Sequence, residues 1–227
     1  MPDNQILPFL SALRENNSLQ WMAENRDWYR TCMDAFEQLL GALITRIAQR
    51  DASVVGQHPK DLIFRLNRDT RFSKDKSPYR PALRAHISAD GKAPVPVGYF
   101  LYIEPGCIFL GGGLFASQFA DATKMVRDYL LEHSGELDDI LKEPGFAAHF
   151  TLDGEKLKNI PRGYPKDFPQ GEYLKHKSWY IEYHLPDESL SDLSGFCENA
   201  AEMFLKMKPF NDFLNRALRD FKMPSRP

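Results

Sequence analysis

Between Trp21 and Ile47 the apolar residues recur at a three-then-four spacing, through Trp28/Tyr29, Cys32/Met33, Phe36, Leu39/Leu40 and Leu43/Ile44, and from Leu62 the period drops to two. The first spacing lines one side of an α-helix and the second lines one face of a strand. A chain that changes period in this way has to combine helices with a sheet. Ahead of the change, Ile6, Phe9, Leu10 and Leu13 form a short stripe behind Asp3, and Asn16-Asn17-Ser18 breaks it and offers a new N-cap. One long helix is predicted from there to about Arg50. Asn25 is its one polar stripe member, expected to be an interior amide tied to a neighbouring backbone.

Past the change, Leu62, Phe64 and Leu66 alternate with Ile63, Arg65 and Asn67, and Leu83, Ala85 and Ile87 alternate with Arg84, His86 and Ser88. Tyr99 to Glu104 and Cys107 to Leu110 read as a hairpin turning at Pro105-Gly106, and Ser178 to Leu185 reads as a further strand. Short connections among the middle strands favour an antiparallel sheet over βαβ units. Helical stripes return at Phe119 to Leu130 and Leu190 to Phe204, and Pro209 is expected to open a last helix through Phe221. The fold class is therefore α+β, an antiparallel-rich sheet with N-terminal and C-terminal helices packed on it. With 227 residues a single domain is expected, organised as a helical segment 1–50, a sheet with inserted helices 60–185 and C-terminal helices 188–222.

Cys32, Cys107 and Cys197 are odd in number, widely spaced and without a C-x-x-C pair, which suggests neither a disulfide framework nor a thiolate zinc site. The first residues lack a basic and then apolar leader, and no apolar run approaches the ~18 residues of a spanning helix. The expectation is a cytoplasmic protein with no membrane partner. The sequence does not set the oligomeric state.

The net charge of −2 conceals a strong segregation. From Lys60 to Lys92 there are nine basic residues against four acidic, and from Lys156 to Lys177 six against two, which leaves −11 on the rest of the chain. In the first stretch Arg65 and Asn67 lead into a loop with Arg68, Asp69, Arg71, Ser73, Lys74, Asp75 and Lys76, closed by Tyr79. Neighbouring cations repel unless carboxylates or a bound anion compensate them. Arginine forks suit phosphate or carboxylate, and lysine adds a mobile point charge. In the second stretch, turn residues hold Lys158 near Arg162, and Lys177 leads into the Ser178 strand. A third element, Ile108 to Ser117, reads as a strand, three glycines and a helix start. Such a junction either aims backbone N–H groups at an anion or makes a tight turn.

The run Phe64-Arg65-x-Asn67-Arg68-Asp69-Thr70-Arg71-Phe72-Ser73-x-Asp75-Lys76-x-Pro78-Tyr79 resembles the signature of an uncharacterised family of bacterial and fungal proteins, a domain of unknown function known as conserved hypothetical proteins. The resemblance extends over nearly the whole chain, through Asn16-Asn17, Trp21, Asn25-Arg26, Tyr29, Gly111-Gly112-Gly113, Leu157-Lys158, Pro161-x-Gly163-Tyr164 and Leu174-Lys175-x-Lys177. It implies a shared fold and pocket rather than a reaction. The chain departs from the pattern at Trp21-Met22, where relatives often have Trp-Phe, and at Phe168-Pro169, where they often have His-Pro. No histidine role is implied at that second position.

Nucleophile chemistry finds little support, with no G-x-S-x-G and no cysteine in an evidently basic, exposed context. The six histidines show no H-x-x-x-H or H-E-x-x-H spacing, so no metal site is expected from them. No cofactor is expected, and Asp69 with Asp75 is the pair that would hold Mg²⁺ against a phosphate. The favoured reading is a pocket for a phosphorylated or other anionic small molecule, with or without turnover. It is built from Arg65, Asn67, Arg68, Asp69, Arg71, Ser73, Lys74, Asp75, Lys76 and Tyr79, with Lys158, Arg162 and Lys177 converging on it. The alternatives are a nucleic-acid-binding module, with Tyr79 or Tyr164 stacking on bases, and an internal salt-bridge lattice with no ligand.

Overall fold

The computed structural model describes residues 5–115 and 119–224. Along the chain, α1 (Ile6–Glu15), α2 (Leu19–Glu24), α3 (Arg26–Ala48) and α4 (Pro59–Leu62) precede β1 (Leu83–Ile87), β2 (Tyr99–Glu104) and β3 (Cys107–Leu114). Then come α5 (Ala120–Lys142), α6 (Pro144–Ala147), α7 (Gly171–Leu174), β4 (Trp179–Leu185) and α8 (Leu193–Ala217). The sheet is antiparallel with order β1-β2-β3-β4, and the fold is a single α+β domain. Within it the chain forms two compact units, one of Met1–Lys92, Phe100–Leu110 and His184–Leu205, the other of Ala93–Tyr99, Gly111–Tyr183 and Lys206–Pro227.

In the first unit, α1 packs its buried Ile6, Phe9, Leu10 and Leu13 against α3. The Phe9 ring meets Trp21, Trp28 and Tyr29 at 5.6–5.9 Å. Ser18 caps α2 as predicted, its hydroxyl accepting the Trp21 amide at 3.1 Å. The single long helix is not formed. Asn25, at φ −107° and ψ 24°, ends α2 and precedes α3, and its side chain donates to the Trp21 carbonyl at 2.9 Å. Its amide therefore serves its own preceding turn rather than a neighbouring segment, competing locally with the helical bond pattern. Asp3, the expected cap of α1, lies outside the described residues.

The strand expected from Leu62 is also reduced. Leu62 closes α4 behind Pro59, and only Ile63 and Asn67 bridge antiparallel to Ala85 and Tyr79. Pro at the first helical position pre-sets φ, and this local preference overrides the alternation. The other strands agree with the sequence: β1 and the β2–β3 hairpin turn where expected, with Gly106 at φ +80°.

In the second unit, α5 buries Ala122, Val126, Leu130 and Leu137. Pro209 does not open a new helix; it lies inside α8. Its position is exposed, so the carbonyl one turn back that loses its donor is able to meet water, and the flanking Met207, Phe210 and Phe213 are fully buried. The glycine run is neither a turn nor a helix junction, because β3 continues through it to Leu114. A Cβ on Gly112 would lie 3.0 Å from Asn211 Oδ1 and 3.2 Å from Met207 Sδ, and one on Gly113 would lie 2.7 Å from the Phe210 ring and closer still to the Trp179 carbonyl. The glycines admit α8 and β4 at close range. Ser117, the expected helix start, lies outside the described residues. Among the described residues no helix is long and apolar enough to cross a membrane.

Candidate functional site

The site grows from the hairpin that joins residues 63–68 to 78–85. Phe64 N donates to Arg84 O at 2.9 Å, Arg80 N to Leu66 O at 2.8 Å and Arg68 N to Pro78 O at 2.9 Å, so the basic run between them becomes the hairpin loop. Asx turns shape it. Asp69 accepts the Arg71 amide at 3.1 Å and grips the Arg71 guanidinium at 2.7–3.2 Å. Asp75 accepts Ser77 N at 2.9 Å, Ser77 Oγ at 2.6 Å and the Arg68 guanidinium. These bonds, led by the side-chain donor in each case, bring Asp69 down to about 2 and hold Asp75 well below the usual carboxylate range. Lys76 Nζ donates to the Thr70 carbonyl at 2.9 Å, and the second Arg68 nitrogen reaches Ser73 Oγ at 3.5 Å.

Much of the predicted cation cluster is thus closed on itself. Arg68 and Arg71 each have a carboxylate, and Lys76 has a carbonyl. Asp69 and Asp75 serve those neighbours, and among the described residues no group of three or more His, Cys, Asp or Glu side chains is arranged to hold a metal ion. Arg65, Asn67 and Lys74 are exposed. Tyr79 is buried and unsuited to stack on a base, with its backbone clamped by Asn17: Tyr79 N donates to Asn17 Oδ1 at 3.0 Å and Asn17 Nδ2 donates to Tyr79 O at 2.8 Å. At the loop tip Phe72 is 96% exposed, with the Arg71 guanidinium 5.8 Å from its ring centre.

Lys158, Arg162 and Lys177 belong to the second unit. Lys158 and Arg162 are exposed on a loop, and Lys177 pairs with Glu155. Tyr164 donates to Asp128 at 2.8 Å, and burial together with that bond raises it to about 12. Arg127 threads this loop region, donating to the carbonyls of Leu174 at 2.8 Å and His176 at 2.7 Å.

Beside the hairpin, within the first unit, lies a cleft of about 430 Å³ lined by Arg14, Asn17, Arg68, Asp75, Ser77, Tyr79, Arg80, Pro81, Tyr102 and Glu104. Its size falls within the range of small-molecule sites. Arg14 reaches over from the last turn of α1 to donate to Glu104 at 3.1 Å and to the Pro105 carbonyl at 2.6 Å. The other Glu104 oxygen accepts the Tyr102 hydroxyl. Burial first, then that bond, raises Tyr102 to about 12, so it stands as a neutral donor.

Arg80 has no such partner. Its main chain is in the hairpin ladder, while its guanidinium makes no hydrogen bond or ion pair with any described residue. Arg84, four residues along, donates to the Arg65 carbonyl at 3.2 Å and lies 5.4 Å from the Phe64 ring centre, and its Nε is buried without a partner. Burial and then repulsion from Arg80 pull Arg84 below its ordinary pKa. Two guanidinium groups that repel each other, with no carboxylate among the described residues hydrogen-bonded to either, form a local electrostatic deficit that an anion would relieve.

Sequence reasoning included Arg80 and Arg84 in the basic stretch but chose neither for the site, and it missed Arg14, Tyr102 and Glu104. The available signal was the second face of β2, where Phe100, Tyr102 and Glu104 alternate with the buried Leu101 and Ile103. No local pattern marks Arg14.

Comparison with known proteins finds a family model, described as conserved hypothetical protein (DUF2461), that matches residues 5–213. No curated protein and no solved structure matches the chain.

Proposed function

The chain belongs to the conserved hypothetical protein (DUF2461) family, and from that starting point we propose that its first unit binds a small phosphorylated or otherwise anionic molecule in the cleft bordered by Arg14, Arg68 and Arg80. The observation that carries this reading is Arg80, which lines the cleft with no carboxylate among the described residues hydrogen-bonded to its guanidinium, together with Arg84, whose buried Nε has no partner. A phosphate or carboxylate on Arg80 is a charge-assisted, two-pronged contact, and Ser77 and Tyr102 line the same cleft with hydroxyls whose protons already go to Asp75 and Glu104. Arg14 and Arg68 contribute field, since Glu104 and Asp75 already occupy them. The reading is one of binding, because the two hydroxyl–carboxylate contacts of the cleft, Ser77 on Asp75 and Tyr102 on Glu104, use carboxylates already ion-paired to Arg68 and Arg14, which are poor general bases.

Thermal-shift titration of the full chain with inorganic phosphate, sugar phosphates and dicarboxylates tests it. A stabilising shift with at least one of these anions, lost in Arg80→Ala and partly restored in Arg80→Lys, is the expected result. No shift with any anion, or a shift that survives Arg80→Ala, refutes the reading and leaves the charges with a structural role.

A further inference from the structure

The Tyr102 wall of the cleft continues into a row of rings on the same face of the sheet. Tyr102 stacks on Phe109 with centroids 4.9 Å apart and planes 15° apart, Phe109 lies 6.0 Å from Phe100, and Phe100 lies 6.1 Å from Phe64, over which Arg84 sits. All four rings are partly exposed, whereas Leu101, Ile103, Ile108 and Leu110, the alternate residues of β2 and β3, are buried. The core is thus on the other face. Aromatic side chains left partly in water along one sheet face, with cations at their margin, are chemically complementary to a ligand that presents a flat π-system and a negative charge together.

We propose that the anion bound at Arg80 is carried by a molecule with a planar ring, a mononucleotide-type ligand whose base stacks on the Tyr102–Phe109 surface while its phosphate meets Arg80. This inference rests on the anion-binding reading above and adds the ring. The juxtaposition that carries it is Tyr102, which lines the Arg80 cleft and stacks on Phe109. Alternation places both requirements on one face: Tyr102 and Phe100 are two residues apart on β2, and Phe109 faces them from β3. Charge complementarity selects an anionic ring system over a neutral one, because Arg80 and Arg84 flank the row and Glu104 is already engaged by Arg14 and Tyr102.

The test is calorimetric titration of the full chain with AMP, UMP, ribose 5-phosphate and an eight-residue oligouridylate lacking a terminal phosphate, on the natural protein and on Phe109→Leu, Arg80→Ala and Arg80→Lys. Stacking of one base predicts AMP binding about 5- to 150-fold tighter than ribose 5-phosphate. Phe109→Leu is expected to collapse that ratio toward one. Arg80→Ala is expected to weaken both ligands together, with partial recovery in Arg80→Lys. Equal affinities for AMP and ribose 5-phosphate, or a ratio unchanged in Phe109→Leu, overturn the ring and leave the anion reading standing. Absence of binding by every phosphate overturns both. Oligouridylate binding more than about tenfold tighter than UMP, with a steep salt slope, overturns the mononucleotide and assigns the face to a single strand.

Discussion

Asn17 closes a two-point clamp on the backbone of Tyr79, its Oδ1 accepting the Tyr79 amide at 3.0 Å and its Nδ2 donating to the Tyr79 carbonyl at 2.8 Å. The pair imitates one rung of an antiparallel ladder. It joins the residues that follow α1 to the strand segment carrying Arg80, across 62 positions of sequence. Asn17→Ala leaves both groups of Tyr79 without a partner in a half-buried place and is expected to cost about 1–3 kcal/mol in urea unfolding. Asn17→Asp keeps the acceptor and loses the donor, so a smaller loss is expected. An Asn17→Ala protein as stable as the natural one would show that water replaces the clamp.

The glycines of β3 make a graded series. At Gly113 the backbone has φ +100° and a Cβ would press on the Trp179 carbonyl and the Phe210 ring, so Gly113→Ala combines strain with a clash against rigid groups. It is expected to lose more than about 3 kcal/mol or fail to fold. Gly106 also has positive φ, +80°, but faces open space, and Gly106→Ala is expected to cost about 1 kcal/mol. Chemical denaturation of both variants checks the order, and a reversal would contradict the close approach of β4 and α8 to Gly113.

His176 is buried to 1% exposure, its Nδ1 bonded to the Ser178 carbonyl at 3.0 Å and its ring stacked on Trp179. Burial, reinforced by Lys156 and only partly opposed by the Ser178 bond, Asp153 and Glu172, pulls it from 6.5 to about 4. Between those values the unfolded chain takes up a proton that the folded chain refuses, so stability is full above pH ~6.5 and falls toward pH ~4. The loss across that window is at most about 3 kcal/mol. Urea unfolding at pH 7, 6 and 5 reads it, and His176→Asn is expected to be less stable at pH 7 but to show a flatter slope. An unchanged slope in that variant assigns the pH dependence to other groups.

The hairpin loop is held chiefly by its two aspartates. Asp75→Ala releases Ser77 and Arg68 together, and the expected consequence is local loosening with little change in the global unfolding midpoint, because the bonds are at the surface. Trypsin nicking at Lys74 and Lys76 is expected to accelerate several-fold in this variant, and an unchanged rate would show that the Asp69–Arg71 and Lys76–Thr70 bonds and the Asn17 clamp suffice to order the loop.

The periodicities of 3.6 and 2 made most helices, the β2–β3 hairpin and the α+β class legible, because each is written in residues a few positions apart. The failures were local competitions: Asn25 against the helix, Pro59 against the alternation at Leu62, Pro209 inside α8. The glycine run was misread for a different reason, since nothing near Gly113 in sequence announces Trp179 or Phe210 in space.

By itself the sequence determined the longer helices and the hairpin of the sheet, their apolar faces, and a basic loop whose aspartates neutralise part of it through bonds two to seven residues long. Tertiary structure decided which cations remained without an acid. Arg14 is satisfied by Glu104, 90 residues away, while Arg80 and Arg84 come to lie beside Tyr102 without one. Coulomb energy and hydrogen bonding depend on distances of a few ångströms, and for residues far apart in sequence those distances are set by the packing of the whole unit.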